Sequence, residues 1–326
     1  MRSIAIVKND FKSSGGLEKY AKKILQMLEE KECQVTLLTS GKPSLPTQVQ
    51  LVSLELDRFF SFRRLQEFDA KVQKFLETHP QEIVFSLGRF SHPQFLRAGD
   101  GVHAAYLDLR KRQESFWKKN SFFFNPLHKV ILHIEKQSFE NPHLKALIVN
   151  SHFVKQQVLQ YYRVKEEKIV VLHNGVEWKE MERFFHDGLE RQEELRKEFK
   201  LSSHEHQFLF IGHNFHRKGL AILLQALAKL KQLPFHLSVV GEDKNREYYQ
   251  DLALKLQIET KVTFFGAVQN TLPFYQLADT LVIPSFYDPF ANVTVEALSM
   301  GLFVISSNSN GGSEVIKEDS GIVFDP

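Results

Sequence analysis

Asp288 and Glu296 stand eight positions apart in the stretch FYDPFANVTVEALSMG, residues 286–301. The aspartate precedes Pro289; the glutamate lies inside an apolar run that ends at Gly301. A helix starting at Ala291 or Asn292 would leave Asp288 in the preceding loop and put Glu296 one turn in. Both carboxylates and the first helix N–H groups can then face one ligand. Val293, Val295, Ala297 and Leu298 flank Glu296 and favour its burial. A buried glutamate without donors is costly, so it calls for hydroxyl groups such as those of a sugar or ribose. A surface helix with Glu296 in water is the alternative.

A second constellation is Gly212-His213-Asn214-Phe215-His216-Arg217-Lys218-Gly219. Arg217 and Lys218 read as opening a helix, where the dipole disfavours cations. That conflict points to a bound anion; solvated surface charges are the competing reading. His213 and His216 offer two imidazoles with no third ligand placed nearby, so no metal is assigned. Ser13-Ser14-Gly15-Gly16 and Asn308-Ser309-Asn310-Gly311-Gly312-Ser313 are further turns between strand-like and helix-like runs. Paired glycines let backbone approach a ligand, and a helix start offers N–H groups to an anion. A plain strand–helix turn is the simpler account of either one alone. Neither matches G-x-G-x-x-G or a Walker loop, which argues against dinucleotide and P-loop chemistry.

These residues need elements to hold them. Short apolar runs mark strands at Ile4–Val7, Val35–Leu38, Val49–Leu54, Ile83–Phe85, Ala146–Val149 and Ile169–Leu172. A second set falls at Phe208–Ile211, His236–Val240, Val262–Phe265, Thr280–Ile283, Phe303–Ser306 and Ile322–Phe324. Helical periodicity lies between them, in Leu17-Tyr20-Ala21-Ile24-Leu25-Leu28, in Leu65-Phe68-Val72-Phe75-Leu76 and in Leu220-Leu223-Leu224-Leu227-Leu230. Alternating strands and helices imply parallel sheets covered on both faces. The pattern occurs twice, so the expectation is two doubly wound α/β domains, residues 1–172 and 173–326, with a ligand cleft between them. Residues 177–206 are highly charged and read as an exposed, partly helical connection.

The chain has 326 residues, 43% hydrophobic and 25% charged, as in soluble globular proteins. A single cysteine, Cys33, excludes a disulfide framework and points to a reducing, cytoplasmic setting. The start shows no signal-peptide pattern, and no apolar run is long enough to span a membrane. Residues 1–176 hold 27 Lys+Arg against 18 Asp+Glu, a balance of +9; residues 177–326 hold 15 against 21, a balance of −6. A basic first half suits an anionic partner.

Taken together, Asp-x7-Glu, Ala-Leu-x-x-Gly, the following apolar strand and Gly311-Gly312-Ser313-Glu314 resemble the signature of family-4 retaining glycosyltransferases. Gly15-Gly16, Asn174-Gly175 and Gly212…Arg217-Lys218-Gly219 fall in that family's order, and Gly99-Asp100-Gly101-Val102-His103 is similar to its lipopolysaccharide-core branch. The resemblance covers nearly the whole chain. It implies a GT-B fold, two Rossmann-like domains facing a cleft, and transfer of a hexose, glucose in this branch, from UDP-glucose to a lipid-linked acceptor such as core heptose. By it Arg217 and Lys218 bind the donor diphosphate, Gly15, Gly16 and Gly212 approach the donor, and Glu296 holds the ribose. Asp288 contacts the sugar, assisted by backbone N–H groups of Phe290, Ala291 and Asn292. Asp100 and His103 line the acceptor side. It implies no metal and no cofactor beyond the nucleotide-sugar donor. Asp288 departs from the family, which often has glutamate there. The family's final helices are not found after Phe324, which keeps open a non-catalytic, sugar-nucleotide-binding paralogue; another sugar or acceptor is the third reading.

The stretch from Arg110 to Phe124 mixes Arg110, Lys111, Arg112, Lys118 and Lys119 with Phe116 and Trp117. An anionic membrane surface and a basic helix packed on the core account for it equally well; nucleic acid does so less well. A peripheral place at the inner face of the cytoplasmic membrane follows from the first account.

Overall fold

The computed structural model describes residues 2–10, 16–41, 49–57, 59–113 and 124–325. The chain divides into two compact units, Met1–Leu172 and His173–Pro326.

The first unit carries seven strands: β1 (Ser3–Val7), β2 (Gln34–Thr39), β3 (Gln50–Ser53), β4 (Ile83–Ser86), β5 (Phe95–Arg97), β6 (Ala146–Val149) and β7 (Ile169–Val171). They form one parallel sheet in the order β3-β2-β1-β4-β5-β6-β7. Alternation along β1 sends Ile4 and Ile6 to one face, against Ala21 and Leu25, and Ala5 and Val7 to the other, against Phe68 and Val72. The helices Gly16–Glu30 and Ser61–Thr78 thus cover opposite faces.

The second unit repeats the plan with β8 (His206–Ile211), β9 (Phe235–Val240), β10 (Val262–Gly266), β11 (Thr280–Ile283), β12 (Phe303–Ser307) and β13 (Gly321–Phe324). Its order is β10-β9-β8-β11-β12-β13, again parallel. Phe210 packs on Phe215, Leu224 and Tyr249; Leu209 packs on the other face with Tyr275, Ala297 and Met300. In both units the order reverses beside the first strand, between β1 and β4 and between β8 and β11. In such sheets ligands bind beyond the carboxyl ends of the strands at that reversal.

The doubly wound fold expected from the sequence is present. One strand, β5, was not anticipated: it has three residues and includes Arg97. Arg97 is buried, its guanidinium 4.0 Å from the Tyr20 ring centroid. The charged stretch after residue 177 forms the helix Trp178–Glu198, whose Met181, Phe184 and Phe185 pack on the core of the second unit.

His236 on β9 is buried, and its Nε2 lies 2.9 Å from Thr263 Oγ1. Its Nδ1 has no hydrogen-bond partner among the described residues. Burial pushes the imidazole down to about 4. Folded protein therefore keeps His236 neutral while unfolded chain protonates it below about 6.5, so stability falls as pH drops from 6.5 towards 4. Urea titrations across that range should show His236→Gln losing less stability than the parent, by about 2 kcal/mol at pH 4.5; parallel curves would disprove it.

Candidate functional site

The reversal point of the second unit is where the sequence's charged residues gather. β8 ends at Ile211 and β11 at Ile283, and the loops beyond them carry Arg217, Lys218 and Asp288. Arg217 Nη1 donates to Asp288 Oδ2 at 3.0 Å and to the Tyr287 carbonyl at 2.7 Å. Lys218 Nζ lies 2.5 Å from the same Asp288 oxygen. Only 6% of Asp288 is exposed. Burial alone would raise its carboxyl, but the Lys218 ammonium and the Arg217 guanidinium outweigh it and hold the group below the ordinary aspartate range.

Local backbone explains why two cations can sit there. The sequence placed them at the start of a helix, against its dipole. Instead they close a four-residue helix, Phe215–Lys218, and the helix Leu220–Ala228 begins after Gly219. They still stand just ahead of the N-terminus of that second helix, and the Asp288 carboxylate offsets their charge there. Asn214 caps the short helix by accepting from Arg217 N at 3.2 Å. Gly219 joins the helices at φ +78°, and a Cβ there would lie 1.9 Å from the Pro284 carbonyl oxygen. Only glycine fits that approach. Phe286 N donates to Arg217 O at 3.0 Å, tying the β8 loop to the β11 loop.

The helix carrying Glu296 spans Asn292–Ser299, with Ala291 at its N-cap. Asp288 lies in the loop before it, as the spacing predicted. Glu296 is half-buried and accepts from the Tyr275 hydroxyl at 2.6 Å. Burial and the Glu296 carboxylate push that hydroxyl well above its usual range.

One residue organises this helix start. Asn310 is fully buried; its Oδ1 accepts from Ala291 N at 2.9 Å and Gly312 N at 3.0 Å. Its Nδ2 donates to Thr294 Oγ1 at 3.1 Å and Ser306 Oγ at 3.0 Å. Every hydrogen-bonding position of the amide is filled. The Asp288 backbone binds both sides of Asn310, donating to Ser309 O and accepting from Gly311 N, each at 2.9 Å. The sequence marked this segment as a permissive glycine turn and as part of the family resemblance without singling out Asn310, and Tyr275 carried no local signal.

Two of the expected ligand-facing amides are engaged elsewhere: Phe290 N donates to Asp288 Oδ1 at 3.2 Å and Ala291 N to Asn310. At Gly212, expected to approach the donor, the backbone N donates to the Val240 carbonyl at 2.9 Å. These N–H groups position the loops. Asn292 accepts from Asn174 Nδ2 at 2.7 Å through its side chain.

In the first unit, Gly16 begins a helix, while Gly15 lies outside the described residues. Asp100 is exposed, 3.9 Å from Arg89 Nη1. His103 opens the helix His103–Gln113, and its Nε2 lies 3.0 Å from His128 Nδ1. Burial, then Arg89 and His128, push His103 down to about 4. Buried Glu135 accepts from His103 N at 2.8 Å, Ala104 N at 3.3 Å and the Tyr162 hydroxyl at 2.5 Å. Arg110 and Lys111 lie on the same helix; the Arg112 side chain and Phe116, Trp117, Lys118 and Lys119 fall outside the described residues. No helix among the described residues is long and apolar enough to cross a membrane.

Sequence comparison assigns the two units separately. Residues 14–179 match the model of Glycosyltransferase Family 4, and residues 191–326 that of Glycosyl transferases group 1. The chain belongs to glycosyltransferase family 4. It is similar to the lipopolysaccharide glucosyltransferase WaaG of Escherichia coli K12, 23% identical over 93% of this chain and 80% of that one. An uncharacterized glycosyltransferase of Methanocaldococcus jannaschii is 32% identical over 53% of this chain, which spans 45% of that relative's length. The crystal structure of WaaG superimposes with a TM-score of 0.80 at 21% identity, over 99% of this chain and 86% of that one. That of Anabaena HepE with UDP and glucose gives 0.67 at 17%, over 100% and 86%. The fold is that of the GT-B glycosyltransferases.

Replacing Asp288 by Asn leaves two partly buried cations without their counter-charge and should cost about 3 kcal/mol. Because the native carboxyl is held low, that loss should be constant at neutral pH and shrink as pH falls below about 4. Chemical denaturation of parent and variant at several pH values would measure it. Asn310→Ala should destabilise at all pH values, by about 2 kcal/mol, since it orphans buried donors and acceptors.

Proposed function

We propose that this family-4 glycosyltransferase moves glucose from UDP-glucose, with retention at the anomeric carbon, to a lipid-linked acceptor such as the heptose of a lipopolysaccharide core. The carrying observation is the Arg217–Lys218–Asp288 cluster at the reversal point of the second sheet. Its three side chains sum to +1, which suits a leaving diphosphate. A guanidinium has five donors and an ammonium three, so the bonds to Asp288 leave capacity on both.

In transfer from a nucleotide sugar, the bond between the anomeric carbon and the diphosphate oxygen breaks as the acceptor oxygen attacks. Negative charge grows on the diphosphate, and cations already fixed in place stabilise it most at that moment. On this reading Arg217 and Lys218 meet the diphosphate, Asp288 fixes them and borders the sugar, and Glu296 accepts from the ribose hydroxyls. A carboxylate accepts at two oxygens, so Tyr275 on Oε2 leaves Glu296 further capacity. The two cations perform the charge stabilisation, so no metal is required. Asp100 and His103 belong to the acceptor side, His103 as a neutral imidazole at pH 7. WaaG, as a lipopolysaccharide glucosyltransferase, supports the choice of sugar and acceptor; HepE with UDP and glucose supports the donor. A lipid-linked acceptor places the enzyme at the inner face of the cytoplasmic membrane.

A thermal-shift panel of UDP, GDP, ADP and CMP sugars, followed by transfer assays and NMR of the product anomer, tests this reading. UDP-glucose should stabilise the protein most, the product should keep the donor's anomeric configuration, and EDTA should leave the rate unchanged. Lys218→Ala should lower kcat by about a hundredfold, as expected for losing one group that stabilises developing charge. Stabilisation by UDP-glucose without turnover would overturn the transfer reading and leave a sugar-nucleotide-binding protein.

A further inference from the structure

The first unit exposes an aromatic and basic patch at the start of the helix Ser61–Thr78. Phe59 is 93% exposed and Phe60 57%. Phe60 is the N-cap residue and gives the helix no side-chain cap, and the first turn holds no acidic residue. Arg63 and Arg64, both exposed, stand there instead. Large exposed apolar rings, helix N–H groups without a side-chain acceptor and cations at a helix start are each unfavourable in water.

The groups form one patch. Phe59 meets Phe60 edge-on with ring centroids 5.8 Å apart, and Phe60 stacks on Phe62 at 6.0 Å. The Arg63 guanidinium lies 5.8 Å from the Phe60 and Phe62 rings alike. Beneath it Phe62 and Leu65 pack with Leu127, Val130, Ile131 and Ile134 of the helix Pro126–Phe139. The patch therefore rests on two packed helices. Phe124, also well exposed, stands just ahead of the second one.

We infer that Phe59 and Phe60 with Arg63 and Arg64 form a docking surface for an anionic bilayer. One environment rewards all the unfavourable features at once: a layer of phosphates over acyl chains. Guanidinium groups and helix N–H groups meet phosphates, and the rings enter the boundary below. Charge favours this occupant over a second copy of the chain. The first unit carries 27 Lys+Arg against 18 Asp+Glu, and a two-fold contact of the patch with itself would set arginines against arginines. Position favours it too. The strands are parallel, so the helix after β3 starts at the carboxyl edge of the sheet, as does the helix after β5 that begins at His103. The surface stands on these observations alone; its use, bringing that edge to a lipid-linked acceptor, rests on the function proposed above.

Vesicle flotation of the full chain tests the inference, using phosphatidylcholine vesicles with and without phosphatidylglycerol. The parent should float with the anionic vesicles and stay behind with the neutral ones. Phe59→Ser/Phe60→Ser should lower the partition coefficient about tenfold or more. Arg63→Gln/Arg64→Gln should lower it about tenfold at low salt and less at high salt. Both pairs are surface changes, and unchanged melting curves would verify folding. Phe59→Trp supplies a gain-of-signal check: its emission should shift to the blue only with anionic vesicles. Parent-like flotation of both double variants would overturn the inference, as would a dimer, seen by light scattering, that Phe59→Ser/Phe60→Ser dissolves. The vesicles contain no saccharide and no nucleotide, so failure here leaves the donor chemistry untouched, and failure of the sugar panel leaves this surface untouched.

Discussion

A carboxylate buried between an ammonium and a guanidinium is the constraint on which the second unit's loops depend. Asp288 cannot remain ionised at 6% exposure unless Lys218 and Arg217 stay beside it. They cannot leave without stranding it. The three residues come from loops about seventy positions apart, brought together because β8 and β11 are neighbours. The backbone bond from Phe286 to Arg217 and the close approach of Gly219 to Pro284 serve the same end. The two cations are thus held in one orientation by the fold itself.

Asn310 supports this arrangement from below. Two amide hydrogens can be met only by an acceptor, and Ala291 N and Gly312 N both point at one end of its side chain. That fixes which end is oxygen, and Thr294 and Ser306 take the other. Gly312 must be small, since a Cβ would lie 2.8 Å from Thr294 Oγ1. The helix of Glu296 is thereby joined to the strand end of β12 and to the loop of Asp288. The two acidic residues that the sequence paired by spacing are coupled through an amide it did not single out.

What the sequence disclosed followed from how local each signal is. Strands of a parallel sheet read as short apolar or β-branched runs, so all six of the second unit and six of seven in the first could be read. β5 escaped because three residues including an arginine make no run. Arg217, Lys218, Asp288 and Glu296 drew notice from their immediate neighbours, but the ion pair between the first three is set by strand order, which no local pattern encodes. The cations also took their place at a helix end rather than a helix start, because Gly219 breaks one apparent helix into two. Phe59 and Phe60 passed unnoticed for the opposite reason: aromatic residues read as core until exposure is known.

The two units share the order of their first six strands and differ in electrostatics. In the first, the helix after β5 begins with its N–H groups already bound to Glu135, which Tyr162 holds in turn. Burial raises the Glu135 carboxyl above its ordinary range, and the side chain already occupies N–H groups at that helix start. His103, kept neutral by burial beside Arg89 and His128, adds no cation. In the second unit the corresponding edge carries two cations against one carboxylate. The second unit thus holds a surplus of positive charge at its reversal point, whereas Glu135 occupies the start of the helix after β5 in the first. The same topology therefore yields two different electrostatic settings, through where each unit places its buried acidic side chain.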